Sequence, residues 1–254
     1  MGVDKDDKEL KNRLLELADK SYKQDIFTFS SFLGLGEQDV FHSIERELAY
    51  AKYECYGGHA GADRIIVRFG SEEVLGYELD YPIACIHIEP VSAKFAESLT
   101  HRDFLGSIMN LGIERATVGD IVVNDKEAWV FCLAQITEYI CENLTKVRHN
   151  NVKCSVCTDF SEVASEEPVP CVVQVASMRA DAVISKVYHL SREASLNLFR
   201  AQKVYINGRL CENNSKELKS TDVVNARGFG KFEVDDDIHV TRKGKQSVSL
   251  KVYK

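Results

Sequence analysis

Hydrophobic and polar positions follow three rhythms along this chain. From 4 to 24, Leu10, Leu14, Leu17 and Tyr22 fall near a 3.6-residue period, with Lys, Asp and Glu between them, which predicts an amphipathic helix. Residues 25–36 gather Phe27, Phe29, Phe32 and Leu33 ahead of Gly34 and Gly36 and read as an apolar connector. A second helix is predicted from Gln38 to Tyr53, with Phe41, Ile44, Leu48 and Ala51 on one stripe. Gly57 to Gly61 is a loop; no strand leads into it and no G-K-[ST] follows, so a phosphate-cradling loop is not expected.

From Arg64 the period shortens to that of strands. Ile65–Val67 is a predicted strand, with Glu72–Tyr77 as its antiparallel partner. Pro82–Glu89 alternates less cleanly, as a strand covered on both faces would. Leu99–Leu111 reads as a helix with Gly112 as a C-cap candidate, then Ile121–Val123 and Ala128–Leu133 as strands around an Asn124-Asp125-Lys126 turn. A helix at Ile136–Leu144 and a strand at Asn151–Thr158 complete a βαββαβ order, the ferredoxin-like plan.

The last third opens on a linker, Ser161–Pro170, with three Glu residues and two prolines that disfavour packed helix. A short strand, Cys171–Ala176, follows, then a helix from Arg179 to Leu190 with Ala182, Val183, Val187 and Leu190 inward. Ser191 is placed to N-cap the next helix, which should stop near Gln202, with Leu196, Leu198 and Phe199 on its apolar side and Arg192 and Arg200 in water. Val204–Ile206 is a strand, and Asn207-Gly208 a type I′ hairpin turn leading back through Arg209 and Leu210. Leu196, Phe199, Val204 and Ile206 are core candidates. After Lys231 come the acidic run Asp235-Asp236-Asp237 and two strands around Lys243-Gly244-Lys245. The fold class expected is α+β, divided into an N-terminal helical region at 1–62, a central ferredoxin-like domain at 63–160, a linker with a short strand at 161–176 and a C-terminal domain at 177–254.

Charge adds to this picture through its distribution. The chain of 254 residues carries a formal −7. Residues 178–254 hold 15 Lys+Arg against 9 Asp+Glu, a local +6, whereas 1–177 hold 17 against 30, a local −13. Such asymmetry suggests a basic binding module joined to an acidic body. No apolar run reaches the length of a membrane span, and the charged N-terminus lacks the apolar core of a signal peptide, so a cytoplasmic address without membrane attachment is expected. In that reducing setting the eight cysteines are expected as thiols. Cys154-x-x-Cys157 has no second ligand pair and lies in a strand-like stretch, so neither zinc nor redox chemistry is expected there.

The motifs of the last third, Arg179, Ser191-Arg192 and A-x-K-V-x-[IV]-N-G from Ala201 to Gly208, resemble the S4 (alpha-L) RNA-binding domain of ribosomal protein S4, tyrosyl-tRNA synthetase and pseudouridine synthases. Asp222 matches the family's G-D-x-[IV], although Thr221 replaces the usual Gly. A second resemblance spans nearly the whole chain. F-L-G-x-x-E-Q at 32–38, P-I-A-C-I-H-I-E-P at 82–90, T-H-R-D-F-L-G-S-I-M-N-L-G-I-E-R at 100–115, G-D-I at 119–121 and R-G-x-G-[KR]-F at 227–232 are similar to the YlmH family. These are bacterial S4-domain proteins whose genes often lie near cell-division genes, with plastid and cyanobacterial relatives called photosystem II S4 proteins. The resemblance implies binding to the large ribosomal subunit, contact with ribosomal RNA and reach to a bound tRNA. It also implies a part in rescuing stalled large subunits, by a protein expected to act as a monomer without a cofactor.

S4-type recognition meets phosphates with Lys and Arg and fixes register with amide and hydroxyl donors. The expected RNA contacts are Arg179, Ser191, Arg192, Arg200, Lys203, Asn207, Gly208, Arg209, Arg227 and Lys231, with Arg102 and Arg115 as a secondary pair. Each basic residue alone could equally be a solvated surface charge; their concentration in one short motif is the signal. His101-Arg102-Asp103 echoes a kinase catalytic triplet, but without a kinase glycine loop or D-F-G it reads as a helix start. His87 and Glu89 share a strand face, and two groups do not make a metal site. The expectation is therefore a non-enzymatic RNA-binding factor. The competing readings are an RNA-modifying enzyme that uses the S4 unit as a clamp and a scaffold for division proteins. Against the enzyme, Gly208-Arg209-Leu210 is followed by Cys211 where a pseudouridine synthase needs Asp, and no glycine-rich cofactor loop follows a strand.

Overall fold

The computed structural model describes residues 3–157, 168–241 and 244–253. They form two compact units: Met1–Glu37 with Ser43–Ser165, and Gln38–His42 with Glu166–Lys254. The α+β expectation holds, with helices and antiparallel sheets in both.

In the first unit, α1 (Val3–Gln24) buries Leu14, Leu17 and Ala18. Tyr22, expected on the same stripe, is 62% exposed, because Ala18 and Ser21 take the inward positions of that turn. The apolar connector becomes β1 (Thr28–Phe29). Helix α2, whose middle at Gln38–His42 counts with the second unit, is shorter than the periodicity predicts: it runs Leu35–Ser43, and Ile44, Leu48 and Ala51 are buried from a succession of turns that leads into β2 (Tyr53–Tyr56). Burial at helical spacing therefore extended the predicted helix past its real end.

The strand predicted at Ile65–Val67 is β3 (Ile66–Phe69). Its partners are β1 and β2, in the order β1-β3-β2, and not Glu72–Tyr77. That segment instead forms α3 (Glu72–Leu75), capped by Gly76 at φ 75°. The 1–62 region is thus not purely helical, and a boundary at 62/63 would run through this sheet.

The larger sheet of this unit is built from β4 (Ile83–Pro90), β5 (Val118–Asn124), β6 (Glu127–Leu133), β7 (Lys146–Val147) and β8 (Asn150–Cys157), in the order β5-β6-β4-β8-β7 and antiparallel throughout. Helix α4 (His101–Met109) follows β4 and α5 (Thr137–Asn143) follows β6. Phe104, Ile108 and Ile140 from these helices pack on Ile86, Ile88 and Val130. Phe32 and Ile66 cover Cys85 and Phe131 on the opposite face. Burial on both faces explains why β4 lacks a clean alternation. The His101-Arg102-Asp103 triplet is a helix start: the Thr100 amide and hydroxyl donate to Asp103 Oδ2 at 2.8 and 2.7 Å.

In the second unit, β9 (Val169–Val175) pairs with β14 and forms one edge of a six-stranded sheet, so this stretch belongs to the C-terminal fold and not to the linker. Pro170 is tolerated there because an edge strand has one unpaired side. The rest of the expected linker, residues 161–167, lies outside the described residues. Helices α6 (Ala180–Val187) and α7 (Arg192–Arg200) precede β10 (Val204–Ile206), β11 (Arg209–Leu210), β12 (Val223–Ala226), β13 (Gly230–Val240) and β14 (Gln246–Tyr253). The sheet order is β11-β10-β12-β13-β14-β9. Asp235-Asp236-Asp237 does not interrupt a strand: the run lies inside β13, where the register shifts between Val234 and Ile238. The turn after β13 is described only in part, since Lys243 is outside the described residues.

One sheet face, with Val204, Ile206, Val224, Phe232, Val234, Val248 and Leu250, packs against Val183, Ile184, Leu198 and Phe199 of the helices. Leu196, expected in this core, is only half-buried; the fully buried neighbour is Ser195. The Ser195 hydroxyl donates to the Asp181 carbonyl oxygen at 2.8 Å. The Asp181 carboxylate, 4% exposed, accepts from Arg179 Nε and Nη2 at 3.0 and 2.7 Å and from Asn214 Nδ2 at 2.9 Å. Burial pushes this carboxyl up, but the Arg179 and Asn214 hydrogen bonds and the Arg179 charge outweigh it, so its pKa lies below the ordinary value.

Two stability predictions follow from this unit. Thr221 sits at φ 67°, a region costly for a β-branched residue and free for glycine. Thr221→Gly should therefore raise the stability of the C-terminal unit by about 1 kcal/mol, read as a higher melting temperature, whereas a lower one would contradict the assigned backbone. Asp181→Ala should cost about 1–3 kcal/mol, because it leaves Asn214 and Arg179 without their acceptor. Because the fold lowers this pKa, the contribution is present above the unfolded value of about 3.9 and fades as pH falls through the lower folded value. Acid unfolding of the variant should accordingly lose part of the wild-type slope below pH of about 4.

Candidate nucleic-acid interface

The second unit gathers the expected RNA-contacting residues into three places. The first is the start of the two helices. Ser191 N-caps α7, its Oγ accepting from the Ala194 amide at 3.1 Å, and Arg192 stands exposed beside it. Arg179 precedes α6 but is held by Asp181, so its charge is largely neutralised before any ligand arrives. That pairing raises the Arg179 pKa, chiefly through the side-chain hydrogen bond.

The second place is the far end of α7, about 12 Å along its axis from Arg192 at 1.5 Å per residue. Arg200 is exposed, with Nη1 donating to Asn197 Oδ1 at 3.0 Å. The chain turns there into β10 through Lys203, whose carbonyl accepts from the Arg227 amide at 2.9 Å, so these two basic residues are main-chain neighbours. Lys231 follows on the next strand, paired with Asn225. Each of the last two cations lies over a ring: the Arg227 guanidinium is 4.7 Å from the Tyr205 ring centre, and the Lys231 ammonium is 5.0 Å from that of Tyr253. Such contacts orient long side chains. Arg200 and Lys203 thus stand at the end of α7 with the Arg227 main chain beside Lys203, whereas the Tyr205 and Tyr253 rings under Arg227 and Lys231 alternate with Val204, Ile206 and Phe232 and lie on the sheet face away from the helices.

The third place is the hairpin tip. Asn207 and Gly208 adopt φ 53° and 74°, as a type I′ turn requires. The Asn207 side chain is used internally: Nδ2 donates to Asp222 Oδ1 and Oδ1 accepts from the Val223 amide, both at 2.8 Å. Its role is therefore to lock the hairpin against the Asp222 turn, while Gly208 is closely covered: a Cβ there would fall 3.0 Å from the Gln38 side chain and 3.2 Å from that of His42. Arg209 is exposed on β11, with Nη2 donating to the His42 carbonyl oxygen at 2.7 Å.

The secondary pair in the first unit is split. Arg102 is exposed on the first turn of α4. Arg115 is turned inward, with Nη1 bonded to the Val118 carbonyl and 3.3 Å from that of Gly119. Arg64 reinforces the same knot, donating to the Val118, Phe32 and Arg115 carbonyls at 2.9, 3.0 and 3.3 Å, while Asp120 accepts from the Asp63 and Arg64 amides. Burial, and then the neighbouring Arg64 charge, lower the Arg115 pKa to about 10. The F-L-G, G-I-E-R and G-D-I motifs thus meet as a structural clip.

Two basic residues that the motif reading passed over join the first place. Lys186, on α6, and Lys245, before β14, line a cleft with Arg179 and Arg192. Lys245 carried a signal in its Lys-Gly-Lys turn; its nearness to α6 depends on the β9–β14 pairing. Elsewhere, burial pushes the Cys154 thiol up to about 12, an inert environment. Cys154 and Cys157, three apart on β8, point to opposite faces. Among the described residues no group of three His, Cys, Asp or Glu could hold a metal ion, and no helix is long and apolar enough to cross a membrane.

Comparison with known proteins adds three findings. Residues 77–160 match the family model described as "Putative RNA-binding domain in YlmH". Over 256 aligned positions the chain is 25% identical to ribosome-associated protein quality control protein P2 of Bacillus subtilis, covering 97% of this chain and 95% of that protein. A solved structure titled cell division protein ylmH from Streptococcus pneumoniae aligns with 62% of this chain and 93% of its own, at 21% identity and a TM-score of 0.49. The domain match thus lies at the centre of the chain, and the similarity to the Bacillus relative runs almost end to end.

Proposed function

We propose that this protein is a non-catalytic RNA-binding factor that works on the ribosome and grips structured RNA through an S4-type C-terminal unit. The observation that carries this reading is the arrangement of exposed cations at both ends of α7, Arg192 at its capped start and Arg200 and Lys203 at its end, on a segment with a local charge of +6. Helix starts offer unpaired amides to phosphate, and guanidinium and ammonium groups meet the backbone without reading sequence. Arg227 and Lys231 lie over rings and so lose rotamer freedom, which suits shape recognition. The ribosome enters through the Bacillus subtilis relative, whose title names ribosome-associated quality control. On this reading the RNA is that of the large subunit, with tRNA within reach, and the protein acts as a cytoplasmic monomer. The 77–160 domain, with its ferredoxin-like strand order, serves as a second RNA-facing body with Arg102 at its edge.

Co-sedimentation of the full chain with ribosomal subunits at low and high salt tests this. Wild type should pellet with the large subunit at low salt and be released as salt rises. Arg192→Glu combined with Lys203→Glu should abolish pelleting while leaving the melting temperature unchanged, since both side chains are exposed. Pelleting of the double variant at the wild-type level would show that the named surface is not the one used.

A further inference from the structure

Between α6, the start of α7 and the β9 and β14 ends lies a cleft of about 450 Å³. That volume falls within the range of small-molecule sites, about 300–1,000 Å³. Its floor is apolar, supplied by Val175, Ala176 and Ala182. Its rim is cationic, with Lys186, Arg192 and Lys245 drawn from three separate elements. Asp181 also faces it, but that carboxylate is neutralised by Arg179 and bonded to Asn214. Among the described residues Lys186, Arg192 and Lys245 carry no ion pair, so the cleft holds three uncompensated positive charges around an apolar slot.

An extended duplex cannot use such a slot, because its bases are stacked and only its phosphates are reachable. An unpaired nucleotide can: it offers a flat apolar base and phosphates at fixed spacing, and a bulged base is already unstacked. We propose that this cleft receives one flipped-out nucleotide of the bound RNA. The base lies against Val175, Ala176 and Ala182, and the flanking phosphates rest on Lys186, Arg192 and Lys245. This inference rests on the RNA-binding reading above and adds to it a preference for RNA that carries a single-nucleotide bulge.

The test measures binding of the full chain to two RNA hairpins, one with a single bulged adenosine and one fully paired. Wild type should bind the bulged hairpin about tenfold more tightly. Ala182→Leu, which fills the cleft, should lower the bulged affinity to the paired value and leave paired binding unchanged. Lys245→Ala, on an exposed position that cannot compromise folding, should flatten the salt dependence for the bulged hairpin by about 0.7 in the log–log slope. Equal wild-type affinity for the two hairpins would overturn the cleft's role while leaving the RNA-binding reading intact; so would a bulge preference that survives both substitutions. Binding of neither hairpin would remove both. Adenosine monophosphate binding more tightly than the bulged hairpin would also overturn the inference, since the cleft would then serve a free nucleotide.

Discussion

A buried carboxylate organises the C-terminal unit. Asp181 takes hydrogen bonds from Arg179 and Asn214 through its side chain and from Ser195 through its carbonyl, so it ties α6 to α7 and to the loop before β12. Alone and buried, that charge would be costly; paired, it is kept ionised and its neighbours are held in one geometry. The direction in which α7 leaves Ser191 is set there. With it are set the positions of Arg192 at one end of the helix and of Arg200 and Lys203 at the other. The hydrophobic face beneath, with Leu198 and Phe199 on the sheet, stabilises the packing, but apolar contacts alone would tolerate more rotation of the helix.

The net charge of −7 misleads about binding because screening makes recognition local. At physiological salt a charge is felt over about 8 Å, so a phosphate near α7 responds to the cations at hand and not to acidic residues elsewhere. Among the expected contacts the residues differ in kind. Arg227 and Lys231 lie over aromatic rings, whereas Arg179 is spent on Asp181 and Asn207 on its own turn. A list of motif residues thus divides into those that build the surface and those that present it.

What the sequence revealed tracks how local the cause is. Ser191 as a cap, Asn207-Gly208 as a turn and Thr100–Asp103 as a helix start depend on neighbours within three or four positions, and all three appear as expected. The strange Thr221-Asp222 pair was legible as a departure from Gly, and its φ of 67° shows why glycine suits that position. Long-range pairing was not legible. Nothing near Ile66–Phe69 says that Thr28–Phe29 is its partner, and although Cys171–Ala176 reads as a strand, nothing in it says that it pairs with β14 or that the strand begins at Val169. Arg115 looked like a surface cation because its acceptors are main-chain carbonyls, which carry no sequence signature. The Lys186–Lys245 cleft was hidden for the same reason, since only the sheet edge brings them together.

The central claim is that phosphate contacts by the α7 cations dominate association with RNA. Its most direct measurement is the affinity of the full chain for a ribosomal RNA hairpin across a salt series. Neutralising several phosphates should give a slope of log K against log salt steeper than about −2. A flatter slope would mean that few phosphates are neutralised and would contradict this account of how the protein holds RNA.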